Sequence, residues 1–342
     1  MKITKVAAAA SMVLVLAMAG CSSSPTSPST TSTSSGAANA PLTITVLPKN
    51  LGNPYFDTSM KGFTAAAPEI GATVTQVGPT SASANGQVTY IQTATQQKVS
   101  AIDISSNDPT AMCNALNAAM AAGIKVVTFD SDAPTCRDLF INQASADGIA
   151  KVLVQMISDE IGGSGEIAIL SAAANATNQN TWIDLMKTDL AASYPNITLD
   201  EVAYGNDDDQ MSFDQTSALL QKYPNLKGII APTTVGIAAA ARYLSTSSAK
   251  GQVQLTGLGT PNDMRSYVQD GTCKEFALWN PQDLGYLAAY ATQALVNGTI
   301  TGAQGDTFTA GSLGSFTVGA DKTVLLGDPY KFDASNIANF NF

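Results

Sequence analysis

Beyond residue 41 the chain alternates short apolar runs with longer amphipathic ones. LTITVLP (42–48), ATVTQVGP (72–79), AIDISS (101–106) and KVVTFD (125–130) are dense in aliphatic and β-branched residues. Such brief runs fit strands buried by neighbouring layers. The stretches between them carry helix signals. Asn53 and Pro54 mark a helix start before YFDTSMKGFTAAAPEI, a second helix is predicted over ASANGQVTYIQTATQQ, and Asp108 and Gly123 bracket a third. After LFINQAS (139–145) the pattern restarts, with strands GEIAILSA, ITLDEVAYG, KGIIAPT and QVQLTGLG. Helices are predicted between them over 147–161, 179–192, 210–224 and 235–246. The alternation predicts an α/β protein with parallel sheets covered on both faces. Its repetition predicts two similar lobes rather than one large sheet.

Sheets of this kind bind ligands beyond the carboxyl ends of their strands. Those positions hold Lys49, then Pro79 and Thr80, then Ser105 and Ser106, then Asp130 and Asp132. In the second run they hold Asn178 and Gln179, then Pro232, Thr233 and Thr234, then Gly259 and Thr260, and after EFAL, Trp279 and Asn280. Tyr55, Phe56 and Trp182 are aromatic residues near these ends. The set is polar and mostly neutral.

The chain contains no histidine. Ser-His-Asp triads, Cys-His pairs and histidine-bound zinc are excluded, and no Cys/His metal spacing exists. Neither a metal, a cofactor nor a catalytic residue is expected. GGSG (162–165) precedes a strand and so does not match a phosphate loop. GNDDDQ (205–210) reads as an acidic cap on the helix after it. Asp130 and Asp132 stand two apart at one strand end, so only one of them aims directly into a cleft if the strand continues. That argues against a glycosidase, which needs two acids flanking one bond. Recognition of a polyhydroxylated small molecule remains. A carboxylate accepts two hydroxyls, amides and a lysine serve the others, and aromatic rings cover the C–H faces. The formal charge of −10 speaks against nucleic acid as a partner.

Ahead of this pattern, a basic start leads into VAAAASMVLVLAMAG (6–20) and Cys21. This has the length and order of a secretory signal, and small residues before the cysteine predict a lipoprotein lipidated on Cys21. SSSPTSPSTTSTSSGAANA (22–40) has little to bury and predicts a flexible tether. The protein is therefore expected to be exported and held to the outer face of the cytoplasmic membrane, or in a periplasm. Cys113 and Cys136, on the same edge of a parallel sheet in an oxidising compartment, are candidates for a disulfide. Cys273 is left over and is expected to be buried.

These residues resemble the periplasmic-binding-protein type I family, the ribose-like sugar-binding components of ABC importers. The likeness is greatest to its rhamnose-binding and autoinducer-2-binding branch. It rests on LPK with the aromatic pair 55–56, GPTSASANGQV (78–88), TFDSDAPTCRDLFINQ (128–143), TNQNTW (177–182), APTT (231–234), GLGTPNDMRSYVQDGT (257–272) and FALWN (276–280). The resemblance implies two Rossmann-like lobes joined by a three-strand hinge. Crossings are expected near 143–146, 278–281 and 306–312, so that one lobe comprises 42–144 plus 281–308 and the other 145–280 plus 309–342. It also implies a monomer that closes on a ligand and is recognised by an ABC permease. In autoinducer-2 receptors the ligand set includes a lysine, an aspartate, an Asp-Gln pair and a Pro-x-Ala segment. Here Lys49 matches, either Asp130 or Asp132 supplies the aspartate, Asn178-Gln179 replaces the acid pair, and Pro232-Thr233-Thr234 replaces the alanine. The two departures favour a neutral sugar or polyol over autoinducer-2, whose receptor is the alternative reading, with a surface sugar-processing enzyme behind it. Cys113 and Cys136 match a cysteine pair of these receptors.

Overall fold

The computed structural model describes residues 41–342; the apolar leader, Cys21 and the Ser/Thr/Pro-rich segment lie outside the described residues. The first half forms β1 (Leu42–Leu47), α1 (Pro54–Ile70), β2 (Ala72–Gln76), α2 (Ala84–Gln97), β3 (Ala101–Ile104), α3 (Pro109–Ala121), β4 (Lys125–Phe129) and β5 (Leu139–Asn142). The caps are those the sequence signals. Asn53 accepts from Tyr55 N ahead of Pro54, and Asp108 accepts from Thr110 N and Ala111 N ahead of Pro109. The second half forms α4 (Ala146–Ile161), β6 (Gly165–Ser171), α5 (Thr177–Ser193), β7 (Ile197–Tyr204), α6 (Asp209–Lys222), β8 (Leu226–Ala231), α7 (Thr234–Thr246), β9 (Gln254–Gly257), α8 (Pro261–Gln269) and β10 (Glu275–Leu278). Then follow α9 (Pro281–Val296), the β11–β12 hairpin (Thr307–Thr309, Ser315–Thr317), β13 (Thr323–Leu325) and β14 (Tyr330–Asp333).

Two parallel sheets result. One has the order β13-β5-β4-β3-β1-β2, the other β7-β6-β8-β9. A bridge between Leu258 and Ala277 joins β10 to the second sheet, and β14 pairs antiparallel with β10. This is the type I periplasmic binding fold, with a parallel sheet in each lobe.

The chain leaves the first sheet after β5 and returns to it after β10. What brings it back is the seat of α9 on α1. A Cβ on Gly62 would lie 1.9 Å from Gln282 O, and one on Gly285 2.0 Å from Ser59 O, so only glycine allows the two helices to approach this closely. The third crossing departs from expectation. Thr323–Leu325 pairs with Phe140–Asn142 on the edge of the first sheet, so the chain changes lobes between residues 325 and 330 rather than near 306–312. Residues 309–325 therefore do not belong with the second sheet as a block. A three-residue strand has no periodicity to read, and only its partner reveals it.

Cys113 and Cys136 form a disulfide with Cα atoms 5.2 Å apart, and Cys273 is free and buried. The bridge ties α3 to the loop that follows β4. Replacing both cysteines by serine is expected to lower stability by about 3 kcal/mol, the loop-closure value for a 23-residue separation. Urea denaturation of the oxidised wild type and the double variant measures it, and equal midpoints would mean that the bridge contributes nothing.

Candidate functional site

Gln87, at 0% exposure, organises the strand ends of the first lobe. Its Nε2 donates to Pro48 O (2.8 Å) and Ser105 O (2.7 Å), and its Oε1 accepts from Asn107 N. Asn107 Nδ2 donates in turn to Lys49 O at 2.8 Å. The backbone carrying Lys49 is thus fixed from behind.

The Lys49 side chain is 4% exposed and reaches across to the second lobe. Its Nζ donates to Asn178 Oδ1 at 3.2 Å and lies 3.8 Å from Asp130 Oδ2. Asp130 follows the last residue of β4 with φ +60°, which turns the chain sharply out of the strand. Its Oδ2 accepts from Ser105 Oγ at 2.7 Å, and the Tyr55 hydroxyl stands against the same carboxylate. On the second lobe, Gln179 Oε1 is fully occupied by Ser171 Oγ (2.6 Å) and Ala172 N (2.7 Å). Asn178 Oδ1 is likewise taken, by Lys49 and by Gln179 N. The amide nitrogens are what these two residues have left to offer.

The aromatic residues form one connected group. Trp279 Nε1 donates to Tyr55 OH at 2.8 Å, and the Trp279 ring meets those of Tyr55 and Trp182 edge-on at centroid distances of 6.1 and 6.2 Å. Phe56 continues the group from Tyr55, 5.1 Å away. Burial, with the Asp130 carboxylate adding to it, holds the Tyr55 phenol well above its ordinary value, so Tyr55 stays neutral and serves as a hydrogen-bonding hydroxyl.

A narrow cavity gathers these groups between the two sheets' carboxyl ends. Lys49, Tyr55, Phe56, Asp130, Asn178 and Gln179 all line it. So do Trp182, Pro232, Thr233, Thr234 and Trp279. Two expected residues do not. Asp132 turns away into a bidentate pair with Arg137, whose Nε and Nη2 donate at 2.6 and 2.9 Å, and it also accepts from Thr128 Oγ1 at 2.6 Å. Its oxygens are spent holding the loop. Asn280 caps α9, accepting from Gln282 N, and faces a separate recess. Among the described residues no group of three His, Cys, Asp or Glu side chains could hold a metal, and no helix is long and apolar enough to cross a membrane.

Residues 44–300 match the model of the periplasmic binding protein domain. The chain belongs to the periplasmic binding protein family. Within this family of exported proteins its relatives are solute-binding components of sugar ABC transporters, not enzymes. A sugar ABC transporter protein from Actinomyces odontolyticus is 53% identical, the alignment covering 88% of this chain and 98% of that one, with a TM-score of 0.71. A solute-binding protein from Clostridium phytofermentas with bound L-rhamnose is 43% identical over 88% and 98%, with a TM-score of 0.85. LsrB from Clostridium saccharobutylicum in complex with AI-2 is 26% identical over 88% and 100%, with a TM-score of 0.84.

Sequence reading passed over four residues lining this cavity, Asn53, Asp207, Leu258 and Leu278. Asp207 is the one with chemical consequence. Its neighbour Asp208 is the helix cap, accepting from Met211 N at 2.7 Å, while Asp207 accepts a hydrogen bond from Thr233 Oγ1. Burial raises the Asp207 carboxyl from its ordinary value against the pull of Lys49. Of three consecutive aspartates, the left-handed backbone at Asn206 and Asp207 (φ +54° and +52°) selects which one turns inward. Composition alone does not distinguish them.

Proposed function

We propose that this protein is the lipid-anchored binding component of an ABC importer and takes a single neutral monosaccharide or polyol between its lobes. The observation that carries the reading is the buried Asp130 carboxylate, set beside Lys49 and two amide nitrogens and facing an aromatic wall. One cation stands against two carboxylates, so an anionic ligand would meet net repulsion. Alternating acceptors and donors suit adjacent hydroxyls, and the rings suit a C–H face. The L-rhamnose held by the 43% identical relative supports a 6-deoxyhexose as the first candidate. Asn178 and Thr234, which stand where autoinducer-2 receptors carry an acid and an alanine, weigh toward the neutral sugar. Anchoring rests on the residues before Cys21, which predict acylation there.

Delivery would proceed by hinge closure of a monomer, the closed form being the one presented to the permease. Bonds cross between lobes from Lys49 to Asn178 and from Asn175 Nδ2 to Asp108 Oδ2 (3.2 Å), as well as from Trp279 to Tyr55 beside the second crossing, and the first two need a closed cleft. The TM-scores support the same reading. Both relatives with a named bound ligand superpose better than the more identical chain does, as expected if lobe angle rather than sequence dominates the comparison.

The test is a thermal-shift panel on the mature chain with pentoses, hexoses, 6-deoxyhexoses, linear polyols and autoinducer-2. A ligand at about 100 times its dissociation constant adds roughly 2.7 kcal/mol, a rise of a few degrees for a chain of this size. A rise with one neutral sugar or polyol is expected. A rise with autoinducer-2 alone would replace this reading with the signal-receptor one.

A further inference from the structure

Trp279 also lines a second recess, formed where all three lobe crossings run side by side. Gln143 comes from the first crossing, Asn280 and Asp283 follow Trp279 in the second, and residues 326–330 belong to the third. Leu313 and Phe316 of the β11–β12 hairpin give it an apolar side. No lysine or arginine lines it.

Gln143 is the anomaly. It is 1% exposed, and neither its Oε1 nor its Nε2 has a hydrogen-bond partner. Gln87 and Gln179 are comparably buried and spend their amides on backbone and hydroxyl partners. A buried primary amide with both ends unpaired is costly, and such groups call for a partner. Here the amide shares its recess with the half-buried Asp283 carboxyl, which burial raises above its ordinary value. A donor, an acceptor and the carboxyl groups of Asp283 and Asp328 against an apolar side form a combination that, without the lysine of the main cleft, also suits hydroxyls.

We propose that this hinge recess is a second ligand site, for a small neutral polyol, and that its occupant shifts the balance between open and closed lobes. The recess is bounded by the three segments that must bend for the lobes to part, so a molecule held there has different contacts in the two states, which is the condition for coupling. Binding in the recess stands on its own geometry; only the coupling rests on the cleft being the sugar site.

Ligand-observed NMR on the full mature chain tests it, with glycerol, erythritol and myo-inositol as probes up to about 50 mM. At least one should bind saturably, both to the wild type and to Asp130→Ala, in which the cleft is disabled. Gly327→Phe should abolish that binding. A Cβ at Gly327 meets nothing within 4 Å, so the ring can fill the recess without disturbing the backbone. Gln143→Leu should weaken binding about tenfold; if that variant does not fold, Gly327→Phe decides. With the cleft sugar in hand, the binding probe should change its dissociation constant by about threefold or more. Absence of saturable binding by all three probes, or binding unchanged in Gly327→Phe, overturns the site. Binding that leaves cleft affinity unchanged overturns its role as an effector. The Asp130→Ala arm is independent of whether the sugar panel succeeds, so failure of one reading is not mistaken for failure of the other.

Discussion

Asp130→Ala is expected to weaken sugar binding by about a thousandfold while the protein still folds. Truncating one member of a buried, hydrogen-bonded charged pair costs roughly 2–5 kcal/mol, and about 4 kcal/mol is a thousandfold. The geometry puts this residue at the upper end. Lys49, 4% exposed and 3.8 Å from Asp130 Oδ2, would be left with Asp207 as its only carboxylate partner in the cavity, and the ligand would lose a carboxylate acceptor. The backbone adds a second, separable effect. Asp130 sits at φ +60°, where alanine is disfavoured by about 1–2 kcal/mol, so the variant should also melt slightly earlier. Asp130→Asn separates the two effects, because asparagine tolerates this conformation and keeps the shape while losing the charge. It should retain wild-type stability and still bind at least tenfold more weakly. Calorimetric titration with the sugar that stabilises the wild type, beside melts without ligand, reads both. Affinity within tenfold of wild type in Asp130→Ala would remove Asp130 from the ligand set.

The same residue shows what a sequence can and cannot disclose. That a carboxylate ends the fourth strand is legible from KVVTFD, because a mostly apolar strand followed by an acid places that acid at a sheet's carboxyl edge. Which of Asp130 and Asp132 enters the cavity is not legible. The choice is made by one positive φ and by Arg137, which claims Asp132. Both are local matters of backbone and pairing with no periodic signature. Asp207 was hidden in the same way, inside an acidic run whose other members do cap and pair on the surface: Asp208 caps α6 and Asp209 meets Arg242 at 2.5 Å. The strands, the helices and their division into two lobes follow from alternation and length, which many residues specify together. The last crossing depends on three residues of β13 finding the edge of β5, which is decided by the assembled sheet. Elements written redundantly along the chain could be read, whereas those fixed by a single dihedral or a single partner could not.

Stability should fall as pH rises from about 5 to 8, with Glu160 a principal cause. This residue lies in the last turn of α4 with both carboxyl oxygens buried. Burial, reinforced by the neighbouring Glu275 carboxylate, lifts its pKa from 4.5 to about 8. Glu275 itself is paired with Lys331 at 2.9 Å, so that cation is already engaged. Below pH 4.5 Glu160 carries its proton in both the folded and the unfolded chain, and no penalty arises. Between 4.5 and about 8 the unfolded chain releases the proton while the folded one keeps it, so the unfolded state gains with every step in pH. Above about 8 both forms are ionised and the cost is constant. At 1.36 kcal/mol per pH unit the full loss is of order 5 kcal/mol. Glu160→Gln removes the titration and keeps the shape. Its amide does not titrate, so the variant should gain on the wild type progressively from pH 5 to 8 whatever fixed offset it carries. Asp103, buried beneath α9 with Thr292 Oγ1 as its hydrogen-bond donor, is also held above its ordinary value and contributes a similar slope to both proteins. The informative quantity is therefore the difference between the two urea-unfolding curves at each pH. Parallel curves across that range would show that Glu160 ionises in the folded protein as freely as in water, and that its burial at the end of α4 carries no electrostatic cost.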